Sequence, residues 1–333
     1  MRPPFEITPL CIRLLTDIER LLGRYEGLHH PRPAPLLRKS LRVKTVQGSV
    51  AIEGNALTEE QVSAVLEGKR VVGPRRDILE VQNALAAYER LAAWKPGRRA
   101  DFLKAHGLLM AGLLERAGRW RTGGVGVMKG KKVIHIAPPA GRVPFLVKGL
   151  LDFIAAGTET HPIIKAAVVH YELEFIHPFE DGNGRMGRLW HTLILSHYHP
   201  LFQHVPIESV IRERQKEYYS VLGKCNQAGH STAFIEFSLA ATLEALERTL
   251  SQLAPATATS EQRLETAHEH FAKRSFSRKD YMALFPKLST ATASRDLRQA
   301  VDDGRFARTG DKALARYTFH SNKTRSATSR QRD

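Results

Sequence analysis

Only two cysteines occur in 333 residues, Cys11 and Cys225, far apart and in no metal-binding spacing. They exclude a disulfide framework and a zinc site built on thiolates. Long apolar runs are missing too. Nothing approaches the ~18 consecutive apolar residues of a membrane-spanning helix, and the opening MRPPFEITPL has no apolar signal core. A soluble, cytoplasmic protein with no membrane partner is the expectation. Neither G-x-x-x-x-G-K-[ST] nor H-E-x-x-H occurs, which excludes a P-loop and a zinc-protease helix. Acidic residues are in deficit, with 34 Asp and Glu against 50 Lys and Arg, a net charge of +16. Such an excess points to a polyanionic partner, nucleotide phosphates or nucleic acid. The rest is ordinary: 42% hydrophobic and 25% charged residues can build a sizeable core, and the length predicts two or three domains.

Apolar spacing predicts a mainly helical body. A short first helix carries Leu10, Leu14, Leu15, Ile18, Leu21 and Leu22, and the proline-rich HHPRPAP follows. A second helix, about 36–52, stops at Glu53-Gly54-Asn55, where Gly and Asn tolerate a left-handed end. Thr58 and Gln61 have the spacing of a capping box. Further helices are expected over 76–94, 144–156, 162–176 (Val169, Leu173 and Ile176 on one face), 184–198, 209–226 and 231–252. Between Trp120 and Pro139 the run GGVGVMKGKKVIHIAPPAG reads as a β-hairpin.

One stretch stands apart. HPFEDGNGRMGR, residues 177–188, joins two predicted helices. Gly182, Asn183 and Gly184 let several backbone N–H groups turn toward one point, where the next helix adds its positive end, and the result is an anion hole. Arg185 and Arg188, three apart, share a helix face and can reach further phosphates. Asp181 is an oxygen ligand suited to a Mg²⁺ that bridges phosphates. His177, with an ordinary pKa of ~6.5, suits a general base. Phe179 can point inward and anchor the loop. Each piece alone is commonplace; their conjunction in twelve residues is not.

The string resembles the signature of the Fic proteins, H-x-F-x-[DE]-G-N-G-R-x-x-R, at every fixed position. EVQNALAAYE is similar to a Fic core helix, and VIHIAPPAGRVPFLVKGLLDFI to the Fic flap with its following helix, so the resemblance covers roughly residues 5–250. It implies a Fic-type helical bundle with a β-hairpin flap. It also implies transfer of AMP from ATP to a Ser, Thr or Tyr hydroxyl of a target protein, which the sequence does not name. His177 would deprotonate that hydroxyl and Asp181 would hold Mg²⁺. Gly182, Asn183 and Gly184 would cradle the α- and β-phosphates, with Arg185 on the β-phosphate and Arg188 on the γ-phosphate. The flap residues Val133, Ile134, His135 and Ile136 would receive the target by strand addition. Tyr218 and Tyr219 are candidates to wall the adenine, with core packing the competing reading. Homodimers are frequent in the family.

SVAIEGN, Ser49 to Asn55, resembles the Fic inhibitory motif [ST]-x-x-x-E-[GN] through Ser49, Glu53 and Gly54. By that resemblance Glu53 would sit against Arg188, neutralise the γ-phosphate anchor and repel the phosphate.

The C-terminal part has a different composition. APATATS reads as a linker, and residues 263–333 hold 16 Lys and Arg against 8 Asp and Glu, half of the net charge. Helices about 278–284 and 290–302, Gly304 and strands about 305–309 and 315–319 make a winged-helix pattern. Its second helix presents Thr290, Thr292, Ser294, Arg295 and Arg298 to DNA, or to a protein partner. The expected organisation is therefore an N-terminal helical region (1–95) with an inhibitory helix (about 36–54), a catalytic core (96–253), a linker (254–262), a small α+β winged-helix domain (263–320) and a disordered basic tail (321–333). Three functions compete: a self-inhibited AMP-transferase, an enzyme that removes AMP, and a DNA-binding regulator that senses nucleotide.

Overall fold

The computed structural model describes residues 3–27, 33, 35–129, 132–156, 160–253, 259–271, 274–285, 288–311 and 315–319. The chain divides into two compact units, Met1–Arg24 with Arg32–Leu253, and Tyr25–Pro31 with Ala254–Asp333.

The first unit is helical. Helices α1 (Pro9–Gly27), α2 (Pro35–Ile52), α3 (Glu59–Leu66), α4 (Arg75–Glu89) and α5 (Arg99–Leu109) lead to a hairpin of β1 (Gly126–Lys129) and β2 (Lys132–Ile136). Then come α6 (Val143–Ala155), α7 (Pro162–Ile176), α8 (Asn183–Tyr198), α9 (Ile207–Glu213), α10 (Gln215–Ala228) and α11 (Thr232–Leu253). None of the described helices is long and apolar enough to cross a membrane.

The paired helices α7 and α8 form the centre. The sequence predicts one apolar face for α7, but residues on nearly every side are buried, from Ile163 and Ala166 to His170 and Ile176. A helix apolar all round belongs inside a core, and this one carries the 177–183 loop at its end. On α8, Leu189, Leu193 and Ile194 face inward as expected, and Trp190 donates its indole N–H to the Pro96 carbonyl. Helix α2 crosses α9 at Gly48, where a Cβ would meet the Glu208 and Ser209 backbone at 2.7 Å. That close approach fixes the end of α2 relative to the centre. Thr58 caps α3 through the reciprocal box with Gln61, and Gly54 takes the left-handed conformation (φ 95°) that stops α2.

Several local expectations need correction. The first helix is 19 residues long, and Leu10 on it is 37% exposed; Cys11 takes the buried place. The helix expected to reach residue 94 ends at Glu89 and tightens into a 3₁₀ turn, Leu91–Ala93. Pro96 disfavours helix for the residue before it, and Trp94 leaves the helix to stack on Trp190. The single helix expected over 209–226 is two, broken at Arg214. Helix α5 lacks a counterpart in the sequence reading.

The second unit holds α12 (Ser260–Phe271), β3 (Phe276–Ser277), α13 (Arg278–Leu284), α14 (Thr290–Asp302), β4 (Phe306–Thr309) and β5 (Arg316–Phe319). Its strands make an antiparallel sheet in the order β3-β5-β4. Phe276, Tyr281, Leu297 and Phe306 lie in its small core. Ser277 and Asp280 close a capping box on α13, and Gly304 turns the chain out of α14 with φ 67°. Residues 260–262, expected as linker, are helical, because α12 begins at Ser260 with Arg263 N–H bonded to the Thr259 carbonyl (3.0 Å). The rest of that linker, 254–258, and the expected tail lie outside the described residues.

Candidate active site

The loop after α7 turns on an unusual residue. His177 ends the helix in the left-handed region (φ 51°, ψ 61°), the one positive φ outside glycine among the described residues. Its Nδ1 lies 3.3 Å from the Glu174 carbonyl oxygen, so the tautomer that donates there makes Nε2 the basic nitrogen. Phe179, fully buried, anchors the loop: it stacks on His106 of α5 with ring centroids 3.6 Å apart. His106 Nε2 donates to the Asp181 carbonyl (2.9 Å) and its Nδ1 accepts from Gly118 N–H (2.8 Å). Burial pulls the His106 pKa down to about 4, which keeps the ring neutral and this bonding fixed.

Asn183 braces the loop from within. Its side chain accepts from Phe179 N–H and donates to the Phe179 carbonyl, both at 2.9 Å. The amide group is therefore spent on the loop, and what position 183 offers a ligand is its backbone. Gly182 caps α8 with φ 83°, and its N–H donates to Asp181 Oδ1 (2.6 Å).

The two arginines separate. Arg185 Nη2 donates to Asp181 Oδ1 (3.0 Å), and its Nη1 pairs closely with Glu80 of α4. Glu80 in turn accepts from Asn55 Nδ2 (2.7 Å). Arg185 is held by Glu80 and Asp181 beside the loop and is not among the residues that line the cavity. An i, i+3 pair shares a general direction, and partners from α4 decide the rest. Arg188 does line the cavity. It is 1% exposed and reaches the end of α2: Nε donates to Ser49 Oγ (3.2 Å), and Nη2 donates to the Ser49 carbonyl (2.9 Å) and to Glu53 Oε1 (2.6 Å). Its buried Nη1 has no hydrogen-bond partner. Burial works against the Arg188 charge, but Glu53, Tyr218 and Glu174 more than offset it, and its pKa is raised.

Glu53 sits in a space that only glycine leaves. A Cβ on Gly184 would fall 2.3 Å from Glu53 Oε1. The cavity, ≈ 180 Å³, is lined by Glu53, Glu174, His177, Asp181, Gly182, Asn183, Gly184, Arg188, Tyr218 and Tyr219, among others.

Tyr218 and Tyr219 part ways as neighbours on a helix must. Tyr218 is buried, donates to Glu174 Oε1 (3.0 Å) and lies 3.2 Å from His170 Nε2. It contributes one edge to the cavity and belongs mainly to the core. Tyr219 is 38% exposed at the cavity wall. His170 is a fully buried core residue whose pKa is held well below the ordinary range by burial, His191 and Arg188.

The sequence reading missed Glu174. It lies in the last turn of α7, three residues before His177, and this nearness in sequence was a usable signal. Burial pushes its carboxyl up to about 7; Arg188 and the Tyr218 hydrogen bond oppose the shift, and Glu53 adds to it. Also missed were His106, Glu80 and Arg121, whose partners come from distant segments.

The hairpin pairs Gly126 with Ile136 and Lys129 with Lys132, with an irregularity between Val127 and Met128. The expected docking residues Val133, Ile134, His135 and Ile136 form β2. No third strand joins the pair among the described residues, so one edge of β2 remains open. On α14, Thr290, Arg295 and Arg298 are exposed; Thr292 is half-buried and bonded to Ser289, and Ser294 accepts from Arg278.

Known proteins match this geometry. The model of the Fic/DOC family matches residues 97–195. Protein adenylyltransferase Fic of Nematostella vectensis is 30% identical over 203 residues, covering 57% of this chain and 44% of that protein. The chain spans less than half the length of the curated adenylyltransferases it matches. The crystal structure of a Fic family protein from Desulfovibrio desulfuricans G20 superposes with a TM-score of 0.73 and 41% identity, covering 98% of this chain and 100% of that one. Fic-1 from C. elegans gives a TM-score of 0.62 at 25% identity, over 74% of each chain.

Proposed function

The chain belongs to the Fic family, and from that membership we propose that it is a protein adenylyltransferase held off by its own Glu53. The reaction joins the hydroxyl oxygen of a target Ser, Thr or Tyr to the α-phosphorus of ATP, and pyrophosphate leaves. His177 Nε2 takes the hydroxyl proton. The backbone of Gly182 to Gly184 and the N-terminus of α8 receive the α- and β-phosphates. Arg188, with its unpartnered Nη1, anchors the γ-phosphate once Glu53 is gone. Arg185 holds Asp181 in place.

Asp181 would hold the Mg²⁺ ion, whose charge balances that of the leaving pyrophosphate. The donor set fits. Mg²⁺ is usually held by one or two carboxylates plus substrate phosphates and water. Asp181 is a 44% exposed carboxylate at the loop, beside Glu180, which also lines the cavity, and no three-ligand group of His, Cys, Asp or Glu occurs among the described residues.

The observation that carries the inhibited state is the 2.6 Å contact between Glu53 Oε1 and Arg188 Nη2 in the wall of the cavity. With Glu53 there, the ≈ 180 Å³ space falls below the about 300–1,000 Å³ of ordinary ligand sites. A charge-assisted hydrogen bond is worth roughly 1.5–3 kcal/mol. Glu53→Gly is therefore expected to raise transfer of label from α-labelled ATP roughly tenfold to a hundredfold. His177→Ala in the same background should lower it by about 10²–10⁴-fold. The assay compares wild type and both variants with Mg²⁺, alone and in a cell lysate. Equal labelling by wild type and Glu53→Gly would sink the inhibition. Release of AMP from labelled protein, with none transferred by Glu53→Gly, would reverse the direction.

A second role rests on a separate observation. The exposed Thr290, Arg295 and Arg298 on α14, beside a small antiparallel sheet, support a DNA-binding winged helix. Its affinity for duplex DNA should fall steeply with salt. Affinity that salt leaves unchanged would favour a protein-docking role.

A further inference from the structure

Arg121 is buried to 2% exposure, and no carboxylate is paired with it among the described residues. Burying an unpaired guanidinium is expensive unless its donors are filled. Here they are filled by four backbone carbonyls. Nε donates to the His177 carbonyl (2.7 Å) and Nη1 to the Gly123 carbonyl (2.8 Å). Nη2 donates to the Pro138 carbonyl and, at 3.3 Å, to the Ile176 carbonyl. The Arg121 backbone N–H adds a bond to the Pro178 carbonyl (3.0 Å).

These carbonyls come from two places only. Gly123 and Pro138 flank the hairpin, just before β1 and just after β2, and the Ala137 N–H to Val125 carbonyl bond (3.1 Å) closes the ladder between them. Ile176 and His177 form the left-handed turn that ends α7. A residue needed only to cap α7 would have no use for the two hairpin carbonyls. A residue needed only to close the hairpin would have no use for the turn. Arg121 takes both, and only a planar fork of donors spans such divergent acceptors; an ammonium is a point charge without that reach.

We propose that Arg121 is a positioning residue that ties the root of the hairpin to the turn carrying His177, so that a target strand added to β2 arrives at a set distance from the imidazole. The proposal rests on the adenylyltransferase reading for its function. By that reading ATP would rest against Gly182, Gly184 and Arg188, none of which Arg121 bonds. A loosened tie therefore lowers the rate of transfer and leaves nucleotide binding alone. Misplacement by about 1 Å can cost about 10²-fold in rate.

The test uses the full chain with Glu53→Gly as parent, and α-labelled ATP with Mg²⁺ as the probe, scored on self-labelling and on lysate proteins. Arg121→Lys is expected to lower the maximal labelling rate by about 10²-fold while the KM for ATP stays within about twofold. Arg121→Ala should show the same split and recover part of its rate when guanidinium ion is added. An unchanged rate, or a rate that falls only in proportion to the folded fraction, would overturn the proposal. If Arg121→Lys does not fold, one glycine inserted between Gly123 and Gly124 lengthens the tether with every side chain kept, and it carries the same expectation.

A parent that labels nothing would count against the adenylyltransferase reading, not against the tie. The tie is then read by amide hydrogen exchange. In Arg121→Lys the amides of Ala137 and His177 should exchange faster together while those of α4 stay as in the parent. Acceleration at only one of the two would overturn it.

Discussion

Each unit of the chain contains an arginine paired with a carboxylate, and the two pairs are built in opposite ways. In the second unit Arg263 meets Asp296 through two bonds, Nε to Oδ2 at 2.6 Å and Nη2 to Oδ1 at 2.8 Å, and Tyr281 adds a third at 3.1 Å. Asp296 is 3% exposed, and although burial raises its pKa, Arg263 and its other donors leave it lowered. In the first unit Glu53 meets Arg188 through one oxygen, the carboxylate side chain is 32% exposed, and Arg188 Nη1 has no partner. The closed pair holds a fold together. The open pair leaves a donor for something else to take, which is what the proposed inhibition requires.

The comparison can be broken at its closed end. Arg263→Ala leaves Asp296 buried and unpaired, which should cost roughly 3–5 kcal/mol. Calorimetry should show a transition of the second unit lost or lowered and that of the first unit unchanged. At the open end, Glu53→Gly should cost the first unit less, roughly 1.5–3 kcal/mol, because one hydrogen bond from a partly exposed carboxylate is lost and Arg188 keeps its Ser49 bonds. A large loss of stability there would make the pair structural.

Glu174→Gln sharpens the contrast through pH. The folded chain holds a proton on Glu174 up to about 7, whereas the unfolded chain releases it near the ordinary value of 4.5. Folded protein thus binds more protons in that window, and this carboxyl costs stability as pH rises through it. Glutamine does not titrate. The stability of Glu174→Gln relative to wild type should therefore grow between about pH 5 and about pH 8, and a difference in melting temperature that pH leaves constant would contradict this. The smallest effect is expected from Ser49→Ala. It removes the one Arg188 Nε bond, worth about 1 kcal/mol, and should raise labelling about fivefold, short of Glu53→Gly.

The 177–188 loop was legible because its chemistry is local. Each glycine, the histidine and the aspartate act through backbone or through neighbours a few residues away, and a string of residue types records that. The contacts of Ser49 and Glu53 with Arg188 span 139 and 135 positions and were legible only through the resemblance to the Fic inhibitory motif. What sequence did not convey lies in long-range pairing. The residue string marks Arg185 as a phosphate ligand but gives no sign of its counterion Glu80, 105 residues earlier. Asn183 looked like a ligand until its side chain closed on Phe179. The break at Arg214 left no mark on the apolar periodicity, yet it gives α10 its own start, and Gln215 there donates to the Ile52 carbonyl (2.8 Å) at the end of α2. Arg121 and His106 read as one basic residue in a turn and one in an unassigned helix. Their importance comes from carbonyls 56 and 75 positions away.

Gly184 has a consequence of a different kind. The contact of Glu53 with Arg188 is one of charge, but a methyl group at position 184 would stand 2.3 Å from the Glu53 oxygen. The two cannot share that space. Under the proposed inhibition, the seat of Glu53 is therefore a matter of vacancy as well as attraction: one added carbon at position 184, bearing no charge, would press the Glu53 oxygen aside, with Arg188 Nη1 next at 3.0 Å.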